Sequence, residues 1–198
     1  SRKSFPKQFI KMFDGKSTLE LAVNRVKSFG YENIHISTLE KYVPLTRKYL
    51  PQIPSKNIVG EPVLRNLAPA VGYNLIRVRA QGYKGPIAIL WADHLIKNEE
   101  SFINMLKNAE EVSIKNPNKI IFVGKKPRFA NNNLGWIHFG KEIGEKVFEY
   151  KDWKYKPPTE ECEKIFKSKE WLWNTGYFIM DIDFGIHLFE KYQPEMYK

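Results

Sequence analysis

The chain has 198 residues, 42% of them hydrophobic, and its 32 Lys and Arg residues against 22 Asp and Glu give a formal net charge of +10. This is enough apolar material for one sizeable core, so we expect a single domain, and its charge favours an anionic partner. Because Cys162 is the only cysteine and no apolar run approaches the roughly 18 residues that span a bilayer, we exclude an intramolecular disulfide and a transmembrane helix and expect a cytoplasmic protein.

Helical and strand patterns alternate through the first 125 residues. Ser17 and Glu20 have capping-box spacing, and apolar residues recur at helical intervals up to Phe29, where Gly30 is placed to end the helix. The patterns that follow predict strands over 33–37 and 57–60 and helices over 39–50 and 66–81. After them come a central strand over 86–91 covered on both faces, a helix capped by Asn98 and a strand over 119–123. This order predicts a mostly parallel sheet flanked by helices, with ligands at the carboxyl ends of its strands.

The pattern changes after Lys125. Strands are predicted over 134–139 and 145–155, followed by a helix with Thr159 as N-cap, a strand over 176–180 and a final helix from about Asp183. No internal repeat or linker separates this part from the first. We therefore interpret it as an annex to the first part and not as an independent domain.

Two segments combine sharp turns with residues suited to phosphate or to a base. Residues 1–9 include Lys7 and could neutralise a polyphosphate, although composition alone favours a solvated basic end. Residues 60–70 join a strand to a helix, so Glu61 could accept hydrogen bonds from a base edge while free backbone N–H groups donate to the ligand. An ordinary loop capped by Asn66 is equally compatible with this second segment.

A third candidate is Asp93, which follows the apolar run 86–91. A carboxylate at the tip of a buried strand is a natural Mg²⁺ ligand beside phosphates, and we favour this role over a loop cap. We interpret His94 as structural. The remaining histidines have no partner at metal-ligand spacing, and the sequence has no phosphate-binding Gly-Lys-Ser/Thr loop and no nucleophile elbow.

Five segments resemble, in the same order, the motifs of mannose-1-phosphate guanylyltransferases, which belong to the sugar-phosphate nucleotidyltransferases. Residues 1–9 resemble Ser-Arg-x-x-x-Pro-Lys-Gln-Phe, and residues 61–70 resemble Glu-Pro-x-x-Arg-Asn-Thr-Ala-Pro-Ala. Residues 92–96, 124–127 and 172–178 are similar to Ala-Asp-His-x-Ile, Gly-Ile-Lys-Pro and Leu-Trp-Asn-Ser-Gly-Met-Phe. The resemblance implies an α/β fold with a Rossmann-like mixed, mostly parallel sheet flanked by helices, a three-layer sandwich similar to the GT-A fold.

The resemblance also implies a single domain over 1–198 in which two parts have different binding roles. Residues 1–125 would be the nucleotide-binding half, and 126–198 would be the sugar-phosphate-binding annex. The nucleotide would contact Arg2, Lys7, Glu61, Pro62, Arg65, Asn66, Ala68 and Pro69. Lys7 and Asp93 would be catalytic, Asp93 would hold the cofactor Mg²⁺, and Gly135, Lys156 and Asn174 would bind the sugar phosphate.

The implied reaction is the formation of GDP-mannose and pyrophosphate from GTP and mannose 1-phosphate. With no covalent intermediate, catalysis would consist of positioning and charge neutralisation. The implied partners are these small molecules, with no nucleic acid and no membrane, and a homo-oligomer is compatible with the sequence.

The sequence departs from the family pattern in two ways. It contains neither the Gly-rich loop that precedes the first motif nor the later region with a second metal-binding aspartate, which favours an excerpt of a longer enzyme. Tyr155 stands where the family has a sugar-contacting acid, and residues 131–133 are Asn-Asn-Asn in place of Glu-Thr-Gly, which favours a diverged relative. Leu67 and Trp91 also replace the Thr and Pro of the family. From these departures we expect a poor catalyst.

Two other functions are compatible with the sequence. The chain could be a catalytically impaired relative that binds a nucleotide sugar and acts as a regulatory or scaffolding subunit. It could also be a nucleic-acid-binding module, which only the net charge suggests, since no motif that combines basic and aromatic residues accompanies that charge.

Overall fold

The computed structural model describes residues 6–62 and 67–197. The chain forms two compact units: unit 1 comprises Ser1–Ile121 and Ile179–Lys198, and unit 2 comprises Phe122–Phe178. The described helices are α1 Thr18–Arg25, α2 Val43–Tyr49, α3 Leu67–Ala80, α4 Glu99–Lys115, α5 Thr159–Ser168, α6 Ile182–Tyr192 and α7 Pro194–Tyr197. The described strands are β1 Lys11–Phe13, β2 Lys16–Ser17, β3 Ile36–Leu39, β4 Ile58–Glu61, β5 Pro86–Ile89, β6 Ile121–Lys125, β7 Gly135–Gly144, β8 Val147–Tyr155 and β9 Trp171–Asp181. These elements confirm the predicted α/β class.

The first boundary between the units lies close to the predicted division after residue 125. The C-terminal boundary differs from the prediction, because residues 179–198 belong to unit 1 together with the N-terminal half. None of the described helices is both long and apolar enough to cross a membrane.

The predicted capping box of α1 is present. The Ser17 backbone N–H donates to Glu20 Oε2 at 2.8 Å, and the Glu20 N–H donates to Ser17 Oγ at 3.2 Å. Burial acts to raise the pKa of Glu20, but the hydrogen bonds from Ser17 and the nearby lysines outweigh it, and the pKa lies below its usual value. The helix is shorter than predicted, since α1 ends at Arg25 and a 3-10 turn, Lys27–Phe29, leads to Gly30 at φ 88°.

Strands β3 and β4 pair in parallel, with Leu39 opposite Glu61. The predicted strand over 33–37 begins later, at Ile36, because the Tyr31–Asn33 segment forms a 3-10 turn. The buried Asn57 side chain holds this turn by donating to the carbonyl of Glu32 at 2.8 Å.

Strand β5 is shorter and more exposed than predicted. It ends at Ile89, Ala88 is exposed, and in the described residues β5 lies at the end of the strand order, paired with β9. The prediction of a central strand covered on both faces is therefore wrong for this part of the chain. Asp93 consequently follows β5 in a loop and not at the strand tip.

Unit 1 has a continuous hydrophobic cluster at its N-terminal side. Six buried residues form this cluster: Phe9, Leu19, Val23, Leu50, Ile53 and Ile58. Ala92, in the loop after β5, packs against it. The cluster thus joins the N-terminal segment, β4 and the loop after β5.

Helices α3 and α6 also pack closely against each other. A Cβ added at Gly185 on α6 would lie only 2.9 Å from Leu75 Cδ1 on α3.

Unit 2 is built on antiparallel pairing. Strand β7 lies between β8 and β9, and β6 pairs with β9. Three tryptophans form its core with two residues of α5: Trp136, Trp171, Trp173, Cys162 and Ile165. The predicted N-cap role of Thr159 is wrong: Pro158 occupies the N-cap, and the Thr159 hydroxyl accepts a hydrogen bond from Asn132 at 3.1 Å.

Candidate functional site

The structure brings Lys7 and Asp93 into contact although they lie 86 positions apart in the sequence. Lys7 Nζ lies 3.1 Å from Asp93 Oδ2, and both side chains are well exposed. They line a cavity of about 420 Å³ with Gln8, Trp91 and Ala92. Within the part of the chain that the structure describes, the cavity therefore presents a cation and a carboxylate, and both are exposed enough to reach a ligand.

Lys7 is held at this cavity by its neighbour Phe9. The Lys7–Phe9 segment forms a 3-10 turn in which the Phe9 N–H donates to the Pro6 carbonyl at 3.1 Å. The Phe9 ring is buried and packs edge-on against Tyr49 at 5.3 Å between ring centroids. The turn thus anchors an apolar side chain in the core and leaves the lysine two residues earlier free to face the solvent.

The Asp93 loop is held by a buried arginine that was not predicted from the sequence. Arg25 is 5% exposed, and its Nη2 donates to the His94 carbonyl at 2.8 Å. Its guanidinium also lies over the Phe102 ring, 5.4 Å from the centroid. The only signal in the sequence is a cation in the last turn of an amphipathic helix, which is common on solvated faces.

Glu61 belongs to a hydrogen-bond chain at the carboxyl ends of β3 and β4. The Ser37 hydroxyl donates to Glu61 Oε1 in a short hydrogen bond, and Asn74 Nδ2 donates to Ser37 Oγ at 2.8 Å and to the Ala70 carbonyl at 2.8 Å. Glu61 Oε2 has no hydrogen-bond partner among residues 6–62 and 67–197. One carboxylate oxygen is thus fixed by the protein, and the other is available to a ligand.

The remaining predicted nucleotide-binding residues lie beside this chain or outside the described residues. Pro62 is exposed directly after β4, and Ala68 and Pro69 lie in the first turn of α3. Three predicted contacts lie outside the described residues: Arg2, Arg65 and Asn66.

The predicted sugar-phosphate residues all belong to unit 2. Gly135 begins β7, and a Cβ added there would lie 3.4 Å from Asn174 Cβ on β9. The Asn174 carboxamide is oriented by its own strand, since Oδ1 accepts a hydrogen bond from the Gly176 N–H at 2.9 Å. The structure therefore brings Gly135 and Asn174 together.

Lys156 follows the end of β8 in a left-handed conformation, with φ 45°. Its N–H donates to the Leu134 carbonyl at 3.2 Å, which holds it beside the start of β7. Its ammonium lies over the Tyr155 ring, 5.2 Å from the centroid. Because Tyr155 is opposite Gly135 in the strand register, Lys156 lies near the same end of the sheet as Gly135.

Unit 2 also contains a cavity of about 250 Å³. It is lined by Asn174, Ile137 and three aromatic side chains: Phe122, Tyr150 and Trp153. Of these residues, only Asn174 was predicted from the sequence. The others are separated along the chain, and alternation along a strand does not reveal which of them share a cavity.

The described residues contain no cluster of three or more His, Cys, Asp or Glu side chains that could enclose a metal ion. His138 and His187 instead lie 3.6 Å from Glu170 and Glu190. Among the described residues, Asp93 is the one carboxylate that lines the cavity beside Lys7. This donor set fits Mg²⁺, which keeps several water ligands and is commonly held by one or two carboxylates together with substrate phosphates.

The nucleotidyl transferase family profile matches residues 1–198. The chain is 28% identical to the mannose-1-phosphate guanylyltransferase RfbM of Salmonella typhimurium over 202 residues, which is all of this chain and 42% of that protein. It is 25% identical to a mannose-1-phosphate guanylyltransferase of Escherichia coli over 207 residues, again all of this chain and 44% of that protein. The chain thus spans less than half the length of these curated relatives.

Two solved structures resemble the fold. A mannose-1-phosphate geranyltransferase from Thermus thermophilus, as that structure is described, gives a TM-score of 0.89 at 23% identity and covers 100% of this chain and 57% of its own. A mannose-6-phosphate isomerase from Helicobacter pylori gives 0.82 at 24% identity, covering 98% of this chain and 73% of its own. These likenesses confirm the predicted nucleotidyltransferase-like fold.

Proposed function

This chain belongs to the nucleotidyl transferase family, and we propose that it forms GDP-mannose and pyrophosphate from GTP and mannose 1-phosphate. The observation that carries the proposal is the contact between Lys7 and Asp93 at one cavity. A cation and a carboxylate at one surface are what a metal-bound triphosphate requires. The names of the relatives in the preceding comparisons support the choice of sugar and base.

In this proposal the triphosphate lies at the Lys7 and Asp93 cavity. The Lys7 ammonium would donate to phosphate oxygens, and the Asp93 carboxylate would hold Mg²⁺ together with water and phosphate oxygens. The bound ion would neutralise part of the triphosphate charge. Because the Lys7–Asp93 pair is exposed and contributes at most about 1 kcal/mol, a triphosphate can separate its members at little cost.

The proposed base site is the end of β4. Guanine carries N–H donors on the edge where its 2-amino group lies, and Glu61 Oε2 is an available acceptor. Ser37 and Asn74 would keep the carboxylate in one orientation while the base binds. Ala68 and Pro69 are small enough to let the planar base approach the first turn of α3.

The sugar phosphate is proposed to bind in unit 2. Lys156 would pair with the phosphate, Asn174 Nδ2 would donate to the sugar or the phosphate, and Gly135 would leave room for the ligand. A phosphate oxygen of mannose 1-phosphate would then attack the α-phosphorus of GTP in line. The bond from the α-phosphorus to the bridging oxygen would break, and pyrophosphate would leave with that bonding pair.

The replacement Asp93→Asn tests the metal role. It removes the charge and keeps the shape, so we expect kcat/KM to fall about 100-fold or more with folding nearly intact. The measurement is Mg²⁺-dependent pyrophosphate release, with circular dichroism to verify the fold. Asp183→Asn is a matched control, because Asp183 is also an exposed carboxylate in an ion pair, with Arg79. Equal activity of the Asp93 variant and the unmodified chain would remove Asp93 from the mechanism.

The replacement Lys7→Met tests the phosphate role. We expect GTP affinity to fall about 10- to 100-fold because a charge-assisted hydrogen bond is lost, whereas guanosine, which has no phosphate, should bind as before. Isothermal titration with both ligands makes the comparison. Equal weakening of GTP and guanosine would indicate that Lys7 has a packing role instead.

A second function is favoured by one specific observation. The Lys156 ammonium lies over the Tyr155 ring, and by the motif resemblance Tyr155 takes the position of a sugar-contacting acid. We therefore also consider a catalytically impaired relative that binds a nucleotide sugar and regulates or scaffolds a partner enzyme. Retained GDP-mannose binding without turnover would support this second function, and turnover would exclude it.

A further inference from the structure

Strand β8 carries four aromatic side chains, spaced two or three positions apart: Phe148, Tyr150, Trp153 and Tyr155. Side chains alternate between the faces of a regular strand, so Tyr150 and Trp153 would normally lie on opposite faces. The register changes between these positions, because His138 pairs with Asp152 and Phe139 pairs with Tyr150. One extra residue on β8, Lys151, therefore forms a bulge, which returns the later aromatic residues to the face of the earlier ones.

Two of these aromatic residues line the cavity in unit 2 and are largely exposed. Tyr150 is 56% exposed and Trp153 is 45% exposed, and both border the cavity of about 250 Å³. Phe122 of β6 completes the aromatic wall, with its ring centroid 5.7 Å from that of Tyr150 at an interplanar angle of 37°. Large aromatic rings exposed around a concavity indicate a binding surface more often than a structural one.

The polar groups at this cavity are hydrogen-bond donors. Trp153 Nε1 and Asn174 Nδ2 lie 3.1 Å and 3.5 Å from the position that a Cβ on Gly135 would occupy. Neither donor has a hydrogen-bond partner within the described parts of the chain. A ligand at this cavity therefore needs oxygen acceptors beside an apolar face.

The size of the cavity limits the ligand further. Pockets for drug-sized ligands occupy about 300–1,000 Å³, so a cavity of about 250 Å³ suits a smaller molecule such as one sugar ring. A pyranose presents C–H groups on its faces and oxygen acceptors around its rim. Aromatic rings match the first property and the two free donors match the second.

We propose that Phe122, Tyr150 and Trp153 form an aromatic platform that stacks on the ring of the sugar 1-phosphate and selects a cyclic sugar. This inference rests on the proposed function and assigns it further specificity-determining residues. Stacking requires a closed ring, so an acyclic phosphate of the same charge gains nothing from the platform.

Titration of the whole chain with mannose 1-phosphate, mannitol 1-phosphate and inorganic phosphate tests the platform. Trp153→Ala should weaken mannose 1-phosphate binding about tenfold, because both the ring and the Nε1 donor are lost. Mannitol 1-phosphate loses only the donor and should be weakened much less, and the affinity for inorganic phosphate should be unchanged. Trp153→Phe keeps a ring and should restore most of the lost affinity. Tyr150→Ala should repeat the effect of Trp153→Ala, and it decides the question if the tryptophan variant fails to fold.

Phe148→Ala is the matched control. Phe148 is also an aromatic residue of β8, but its ring contacts Phe139 at 5.2 Å and it does not line the cavity. We expect this variant to bind mannose 1-phosphate as the unmodified chain does. Equal weakening of all three ligands by Trp153→Ala would overturn the platform. A changed oligomeric mass with unchanged sugar phosphate affinity would also overturn it, and would assign the aromatic face to a protein partner.

The platform and the proposed function can fail separately. If Trp153→Ala leaves the KM for mannose 1-phosphate unchanged while GDP-mannose still forms, the platform is wrong and the function stands. If the chain binds mannose 1-phosphate through Trp153 but forms no GDP-mannose, the reaction is wrong and the platform stands. If the chain binds no mannose 1-phosphate at all, both are wrong.

Discussion

At the residue scale, the side chains proposed to bind the nucleotide are exposed, whereas the side chains that hold their segments in place are buried. Lys7 and Asp93 face the solvent, whereas Phe9 and Arg25, which hold the two segments, are almost fully buried. An exposed ion pair contributes little to stability, and a buried aromatic side chain contributes several times more. Lys7 and Asp93 can therefore exchange partners at little cost to the stability of the fold.

One residue-scale prediction concerns His35. Burial lowers the pKa of His35 from its ordinary value, and Lys56 acts in the same direction. Below about pH 6.5 the unfolded chain then binds more protons than the folded chain, so the free energy of unfolding falls as the pH drops. In the His35→Gln variant, the free energy of unfolding should fall less over the same pH range. The test compares urea midpoints at about pH 7.5 and about pH 5.5, on either side of the ordinary pKa.

The exposed His187 supplies the control for this prediction, since its side chain is 61% exposed. His35→Gln should change the pH dependence more than His187→Gln does, because, of these two residues, only His35 is withdrawn from solvent. If His35→Gln and the unmodified chain lose stability equally between the two pH values, burial of His35 has no part in the acid sensitivity.

At the element scale, the close approach of β6 and β9 explains the glycine in the sequence Gly-Lys-Lys-Pro. A Cβ added at Gly124 would lie 2.5 Å from Leu172 Cδ1 and 2.8 Å from Leu172 Cβ. The second atom is next to the backbone and cannot turn away by a rotamer change. The glycine therefore has a packing role in unit 2, whatever contact it makes with a ligand.

We expect Gly124→Ala to lower the free energy of unfolding by about 1–3 kcal/mol, because β6 and β9 must separate to accept the methyl group. Gly144→Ala is the control: it lies in the same sheet, and the nearest atom to an added Cβ there is 3.6 Å away. This control should be neutral or slightly stabilising, since alanine restricts the unfolded chain. Chemical denaturation of both variants makes the comparison, and equal stability of the two would contradict the packing role.

At the scale of the whole molecule, the chain leaves unit 1 after Ile121 and returns to it at Ile179. The candidate nucleotide residues of the described chain all belong to unit 1, and the candidate sugar-phosphate residues all belong to unit 2. The two substrates should therefore protect different parts of the chain.

Hydrogen exchange tests this division. GTP with Mg²⁺ should slow amide exchange near Lys7 and Asp93, and mannose 1-phosphate should slow it near Gly135, Lys156 and Asn174, because bound ligands suppress local opening. Inorganic phosphate is the control for charge alone. Protection of one unit by both substrates would contradict the assignment of the two groups. A polynucleotide that protects both units with a steep salt dependence would instead favour the nucleic-acid alternative.

Features that depend on neighbouring residues could be predicted from the sequence. The capping box of α1, the Asn98 cap of α4 and most helix boundaries are local, since their hydrogen bonds join residues three or four positions apart. The motifs resembling the family also predicted the α/β fold and the order of the candidate site residues. Boundaries were wrong where a distant side chain intervened, as at the start of β3, where Asn57 holds the preceding turn.

Contacts between residues far apart in the sequence could not be predicted in this way. The contact between Lys7 and Asp93 spans 86 positions, and the hydrogen bond from Arg25 to the His94 carbonyl spans 69. The bulge at Lys151 could not be predicted from the sequence either, yet it places Tyr150 and Trp153 at one cavity. The physical reason is that strand register and long-range packing depend on the whole core, whereas helix caps and hydrophobic periodicity depend on a few adjacent residues.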